Sequence, residues 1–143
     1  MRFLVVNGVN LNMTGIREQG VYGKCTLQQI NDKIAAYATA NGDSVDFFQS
    51  NIEGELVNVL HDAYLNGNVD AIILNAGAYT HYSYALRDAI ASISIPVVEV
   101  HISNVHAREE FRKNSVLSSV CKGVICGFGV GSYIAAMVAL KRK

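Results

Sequence analysis

The sequence is short of cysteine, of net charge and of long apolar runs, and each shortage closes off a class of protein. Its three cysteines, Cys25, Cys121 and Cys126, are odd in number and form no C-x-x-C pair. That excludes a disulfide framework or a zinc knuckle and fits a reducing cytoplasm. Twelve basic residues balance twelve acidic ones, and no basic run precedes Lys141, Arg142 and Lys143. Nothing therefore points to a nucleic-acid or anionic-membrane partner, and the basic tail more simply complements a helix C-terminus. The opening apolar run, Phe3 to Val6, is too short for a signal peptide, and no stretch approaches the roughly 20 residues that span a bilayer. With only 17% of residues charged, the surface is lean for a monomer, as expected where part of it is buried in an oligomer.

What is present is a chain of 143 residues, half of them hydrophobic. It is long enough for one domain spanning 1–143 whose core needs neither disulfide nor metal. Phe3 to Val6 forms an apolar run stopped by Asn7 and Gly8, as in a strand buried on both faces. Thr26 opens a helix, with Gln29 completing a capping box, and Leu27, Ile30 and Ile34 give it an apolar stripe that ends at Gly42. Val45, Phe47 and Phe48 supply a second strand. Asn51 can cap a second helix carrying Leu56, Val57, Leu60 and Tyr64. Ala71 to Leu74 is the third strand, and Thr80 or His81 opens a helix through Ile93 that stops before Pro96. Val97 to His101 and Gly123 to Cys126 are the fourth and fifth strands, with Ser132 able to cap a final helix through Leu140. Strands alternate with amphipathic helices and no hairpin signals intervene. The pattern predicts a three-layer α/β sandwich of flavodoxin-like type, with a five-stranded parallel sheet of order 2-1-3-4-5.

In such a sheet, ligands bind beyond the carboxyl ends of the strands where the order reverses. Asn7 and Asn10 follow the first strand, Asn75 and Gly77 the third, and His101 and Ser103 the fourth, so these residues should converge. The densest polar stretch is VEVHISNVHAREEFR, 98–112, which starts as a buried strand and ends as a short polar helix. Alternation puts Val98 and Val100 on one strand face and Glu99 with His101 on the other. A carboxylate beside an imidazole holds one tautomer and favours the protonated form, as a general acid requires. The segment GIREQGVYG, 15–23, has three glycines together with Arg17 and Tyr22 and resembles a mobile lid. Two features carry no such weight. GFGVGS, 127–132, lacks the third glycine of a dinucleotide fingerprint and follows the last strand, so its glycines serve packing or a tight turn. His61 is an exposed helix residue.

With these stretches in view, the chain resembles the type II 3-dehydroquinate dehydratases over essentially its whole length. NGVNLN, REQGVYG, FFQSNIEGEL, LNAGAYTHYSYALRDA, IPVVEVHISNVHAREEFR and KGVICGFGVGSY stand in the family's order and spacing. Val9 and Ser119 replace common prolines and Ile52 an often polar residue; none removes a reacting group. The resemblance implies the flavodoxin-like fold and the reversible loss of water from 3-dehydroquinate to give 3-dehydroshikimate, in the shikimate or quinate pathway. It also implies an enolate intermediate, no metal and no organic cofactor, in contrast to the type I enzymes, which use a lysine Schiff base.

Roles carry over residue by residue. Tyr22 matches the base. A tyrosine titrates near about 10, so a cation must favour its phenolate, and Arg17, five residues away, is the candidate. His101 matches the proton donor, oriented by Glu99, and Asn10 matches a residue holding the water that stabilises the enolate oxygen. The substrate carboxylate would meet the backbone N–H groups of Ile102 and Ser103, the Ser103 hydroxyl and the Asn75 amide, aided by the dipole of the following short helix. His81 and Arg112 match residues contacting ring hydroxyls, and Asp88 one that reaches in from a neighbouring subunit. The family forms trimers, commonly packed as dodecamers. A flavodoxin-like binding module that had lost catalysis would predict erosion of Arg17, Tyr22 or His101, and all three are present. An unrelated dehydratase or hydrolase built on Glu99 and His101 would leave Arg17 and Tyr22 without a task.

Overall fold

A computed structural model describes residues 1–142; Lys143, the last residue of the basic tail, lies outside the described residues. Five parallel strands form one sheet of order β2-β1-β3-β4-β5: β1 (Arg2–Asn7), β2 (Ser44–Gln49), β3 (Ala71–Asn75), β4 (Val97–His101) and β5 (Gly123–Cys126). This is the expected sheet. The three inner strands are almost wholly buried, whereas β2 and β5 are edges and only partly covered.

Helices α2 (Leu27–Ala40) and α5 (Val130–Lys141) cover one face, where Ile30, Ile34, Tyr133 and Met137 pack on Phe3, Val5, Ile73, Val98 and Val100. Helices α3 (Glu53–Leu65) and α4 (Tyr84–Ala91) cover the other, with Leu56, Leu60, Leu86 and Ile90 against Leu4, Val6, Ile72, Leu74 and Val97. Successive strand residues alternate between the two cores, as the pleat requires. Each large aliphatic side chain buried in this way is worth about 1.5–3 kcal/mol. No helix among the described residues is long and apolar enough to cross a membrane.

Local signals held at some helix ends and failed at others. Thr26 and Gln29 form the full capping box of α2. Asn51 does not cap α3; the N-cap is Ile52, and the Asn51 side chain instead accepts the N–H of Asn10 at 2.9 Å. Thr80 and His81 belong to a 3-10 turn, Gly77–His81, and it is Ser83 that caps α4 by accepting the Leu86 N–H, with the helix ending at Ala91. A 3-10 turn after β3 consumes the residues that would otherwise have started the helix. Ser132 sits inside α5, whose N-cap is Gly129, and its hydroxyl reaches back to accept the Phe128 N–H. The turn Gly127 to Gly129 serves close packing, as expected: it donates to the carbonyls of His101 and Ile102 and so steadies the end of β4.

Where the sheet order reverses, the ends of β1 and β3 come very close. Gly8 donates to the Asn75 carbonyl at 2.7 Å, and a Cβ at Gly8 would lie 2.4 Å from the Ala76 carbonyl oxygen. Backbone on one side and backbone on the other leave nothing to yield. Gly8→Ala is therefore expected to destabilise the fold by about 1–3 kcal/mol, the usual cost of overpacking, seen as a lower urea midpoint with unchanged slope; a midpoint equal to wild type would contradict the close approach.

Candidate active site

At that junction lies a cavity of about 140 Å³. Nine of the eleven residues singled out from the sequence line it: Asn10, Arg17, Tyr22, Asn75, His81, His101, Ile102, Ser103 and Arg112. Asn10 follows β1 in a left-handed conformation, φ 66°, that its short polar side chain tolerates. Arg17 and Tyr22 come from the segment 15–23, which folds over the cavity with one helical turn, α1 (Gln19–Tyr22). Asn75 ends β3, His101 ends β4, and Ile102 and Ser103 follow directly.

The two remaining residues sit elsewhere. Glu99 stands behind His101, 1% exposed, with its Oε1 2.6 Å from His101 Nε2. Its Oε2 accepts from the hydroxyls of Ser118 at 2.6 Å and Ser115 at 3.0 Å. Burial pushes the Glu99 carboxyl up, but the hydrogen bonds from His101 and the two serines outweigh it and hold the group below its ordinary value. Asp88 lies on the exposed side of α4, paired with Arg87 at 3.0 Å, and does not reach this chain's own cavity.

Two arginines attend Tyr22, not one. Arg17 stacks its guanidinium over the ring, 4.5 Å from the centroid. Arg108 donates to the Tyr22 hydroxyl at 2.8 Å and to the Ser103 hydroxyl at 3.1 Å. Arg17, the cation expected beside Tyr22, thus makes a cation–π contact, and the hydrogen bond to the hydroxyl comes from Arg108. The expected helix dipole beyond Ser103 is also replaced. The segment after β4 forms only short 3-10 turns, Val105–Ala107 and Glu110–Lys113, too brief for a macrodipole of consequence. Positive charge beside Ser103 comes from Arg108 instead.

His81 Nδ1 lies 2.7 Å from the Asn114 carbonyl, which can only accept, so Nδ1 carries the proton. Burial pushes the His81 imidazole down and the nearby Arg112 charge adds to this, against the opposing pull of the Asn114 hydrogen bond. The neutral ring keeps Nε2 as an acceptor. Arg112 is held by Glu109 at 2.7 Å. No lysine lines the cavity, and among the described residues no group of three His, Cys, Asp or Glu is arranged to hold a metal ion.

A family model for dehydroquinase class II matches residues 1–141. The chain belongs to the class II dehydroquinase family. It is 54% identical over 140 residues to a protein of Caldicellulosiruptor bescii named 3-dehydroquinate dehydratase, covering 98% of this chain and 96% of the relative. A like-named protein of Caldanaerobacter subterraneus is 56% identical, over 98% of this chain and 93% of its own. The crystal structure of type II dehydroquinase from Butyrivibrio crossotus superposes with a TM-score of 0.97 at 48% identity, covering 99% of this chain and 98% of that one.

For a dehydroquinase of this class, Arg108, Ser115 and Ser118 are the residues that sequence reasoning passed over. Arg108 stood in the conspicuous polar stretch, but its partner Tyr22 is 86 positions away, and no spacing rule joins the two. The serines lie in a segment without periodicity and acquire a task only once Glu99 is seen buried beside them.

The depressed Glu99 titration has a sign that can be measured. Its contribution to stability is fully present above the ordinary value of 4.5 and is lost as pH falls through the lower folded-state value. Glu99→Gln should cost about 1–3 kcal/mol at pH 7 and flatten the acid limb of the stability profile below pH 4.5; a variant whose acid limb matches that of wild type would show that Glu99 contributes nothing to it.

Proposed function

We propose that this chain catalyses the reversible dehydration of 3-dehydroquinate to 3-dehydroshikimate, with Tyr22 as base and His101 as acid. The observation that carries the reading is the pairing within one cavity of a phenol held by an arginine and an imidazole held by a carboxylate. The two groups can move protons in opposite directions across a ligand between them. Tyr22, as phenolate, takes a proton from the carbon beside the substrate ketone, and the electron pair moves onto the ketone oxygen as an enolate. Arg108 donates to the oxygen that carries the negative charge before transfer, and Arg17 faces the ring.

The enolate then collapses, the carbon–carbon double bond forms, and the C–O bond to the departing hydroxyl breaks as His101 protonates it. Glu99 occupies Nε2 of His101, leaving Nδ1 as the nitrogen that hands over the proton. A water held by Asn10 would stabilise the enolate oxygen, an oxyanion-hole role. Ser103, with the backbone N–H groups of Ile102 and Ser103 and the Asn75 amide, binds the substrate carboxylate. His81 and Arg112 bind the ring hydroxyls, His81 as an acceptor through Nε2. The reaction needs no metal and no organic cofactor in this scheme, and it runs in the cytoplasm as a step of the shikimate or quinate pathway.

Asp88 completes the site from a neighbouring copy. Its place on the outer face of α4, away from its own cavity, supports a trimer in which α4 faces the next subunit, and four trimers would make the dodecamer.

Two experiments test this reading. Purified protein mixed with 3-dehydroquinate, with a chelator and after borohydride treatment, is expected to form the conjugated product in ultraviolet absorbance under both conditions; loss of turnover on borohydride treatment would mean a Schiff-base route. Tyr22→Phe should lower kcat by about 10²–10⁴-fold, the range for removal of a general base, while substrate still binds by calorimetry; near-normal kcat would rule out the tyrosine as base.

A further inference from the structure

Beneath the cavity, the fully buried hydroxyl of Tyr133 joins two asparagines that end neighbouring strands. It donates to Asn7 Oδ1 at 2.7 Å and accepts from Asn75 Nδ2 at 2.8 Å. Asn7 and Asn75 are register partners across β1 and β3 and are 1% and 3% exposed, so water does not substitute for these bonds.

The polarity of this chain is set from one end. The Gly77 N–H, which can only donate, lies 3.2 Å from Asn75 Oδ1. That commits Oδ1 as the acceptor and turns the Asn75 NH₂ group toward the phenol. An amide NH₂ only donates, so the phenol oxygen accepts from it and its single proton goes to Asn7. Burial pushes the Tyr133 phenol above its ordinary value, so that proton stays in place throughout the working pH range.

We propose that Tyr133 is a positioning residue for the reaction: its hydroxyl locks the Asn75 amide so that the second N–H, a donor, faces the ligand and selects a carboxylate or other acceptor there. The inference rests on the functional reading above. It adds a residue on α5 that does not line the cavity, and it explains why an amide that could flip is held in one orientation.

Tyr133→Phe keeps the ring and removes only the hydroxyl. Steady-state kinetics with 3-dehydroquinate would be compared for wild type, Tyr133→Phe, Asn75→Ala and the double variant, each checked for folding by circular dichroism. In Tyr133→Phe, KM is expected to rise about tenfold, the loss of one buried hydrogen bond, with kcat within about twofold. The double variant should be no worse than Asn75→Ala alone, because the hydroxyl acts only through that amide. Losses that multiply in the double variant, as a merely structural role would give, or an unchanged KM in Tyr133→Phe, would overturn the proposal.

The Asn75 side-chain amide resonances give a readout independent of turnover. They should shift in Tyr133→Phe, and unshifted resonances would overturn the proposal. If wild type itself does not turn over 3-dehydroquinate, the functional reading fails, and these resonances still decide whether Tyr133 positions Asn75. Should Tyr133→Phe fail to fold, wild type alone decides. The Tyr133 hydroxyl proton is then expected to be protected from exchange and to show a cross-peak to the Asn75 amide, and a rapidly exchanging hydroxyl overturns the proposal.

Discussion

Glu99 sits on the inner strand β4 at 1% exposure, where an unpaired carboxylate would cost several kcal/mol in lost hydration. Three donors offset that cost, and two of them draw another part of the chain to β4. His101 is two residues along the same strand, while Ser115 and Ser118 come from the segment that leads into β5. Ser115 also accepts the N–H groups of Leu117 and Ser118, so the turn that delivers the hydroxyls is wound around one of them. The carboxylate thus organises the path of residues 114–120 as well as the imidazole in front of it. An isolated pair on a strand end would have been solvated and loose.

The charges that serve the cavity differ from those that merely decorate the surface. Lys113 with Glu110 and Arg87 with Asp88 are exposed pairs, of a kind worth about 0–1 kcal/mol. Arg108 is half-buried and spends its donors on two hydroxyls, those of Tyr22 and Ser103. Among the described residues no carboxylate forms an ion pair with that guanidinium. Arg112, by contrast, is steadied by Glu109 and by the Phe111 ring, which fixes its position at the cavity wall at the expense of some of its field.

Periodicity was sufficient for the strands and the sharing of a face by Glu99 and His101, because burial on both sides of a parallel sheet leaves a strong apolar signature; their order came from reading the alternation of strands and helices as flavodoxin-like. The convergence of Asn10, Asn75, His101 and Ser103 followed from topology alone. Caps were less legible. Asn51, Thr80 and Ser132 all have the right chemistry for an N-cap, yet tertiary contacts gave Asn51 to Asn10 and a 3-10 turn took Thr80. The role of Arg108 was hidden for a different reason: a contact across 86 residues has no local pattern, and a nearer arginine on the same segment satisfied the electrostatic need on paper.

The proposed acid and the proposed base are supported in unlike ways, and this follows from where each is built. His101 ends an inner strand whose every residue is buried, its partner is locked by two serines, and the turn Gly127–Gly129 holds the backbone carbonyls beside it. Its geometry is part of the sheet. Tyr22 closes a four-residue helical turn between Gly15 and Gly23, both at positive φ, with Glu18 at φ 37°, a conformation that disfavours most side chains. Its side chain packs against the core on the α2 and α5 face, and its hydroxyl is held over the cavity by contact with Arg17 and Arg108. A rigidly held imidazole and a phenol contacted by two cations would suit the proposed site, which has to admit a polar ligand and then surround it. The sheet supplies a fixed reference against which the segment 15–23 is placed, and Arg108, which touches both Tyr22 and Ser103, is the link between the two halves.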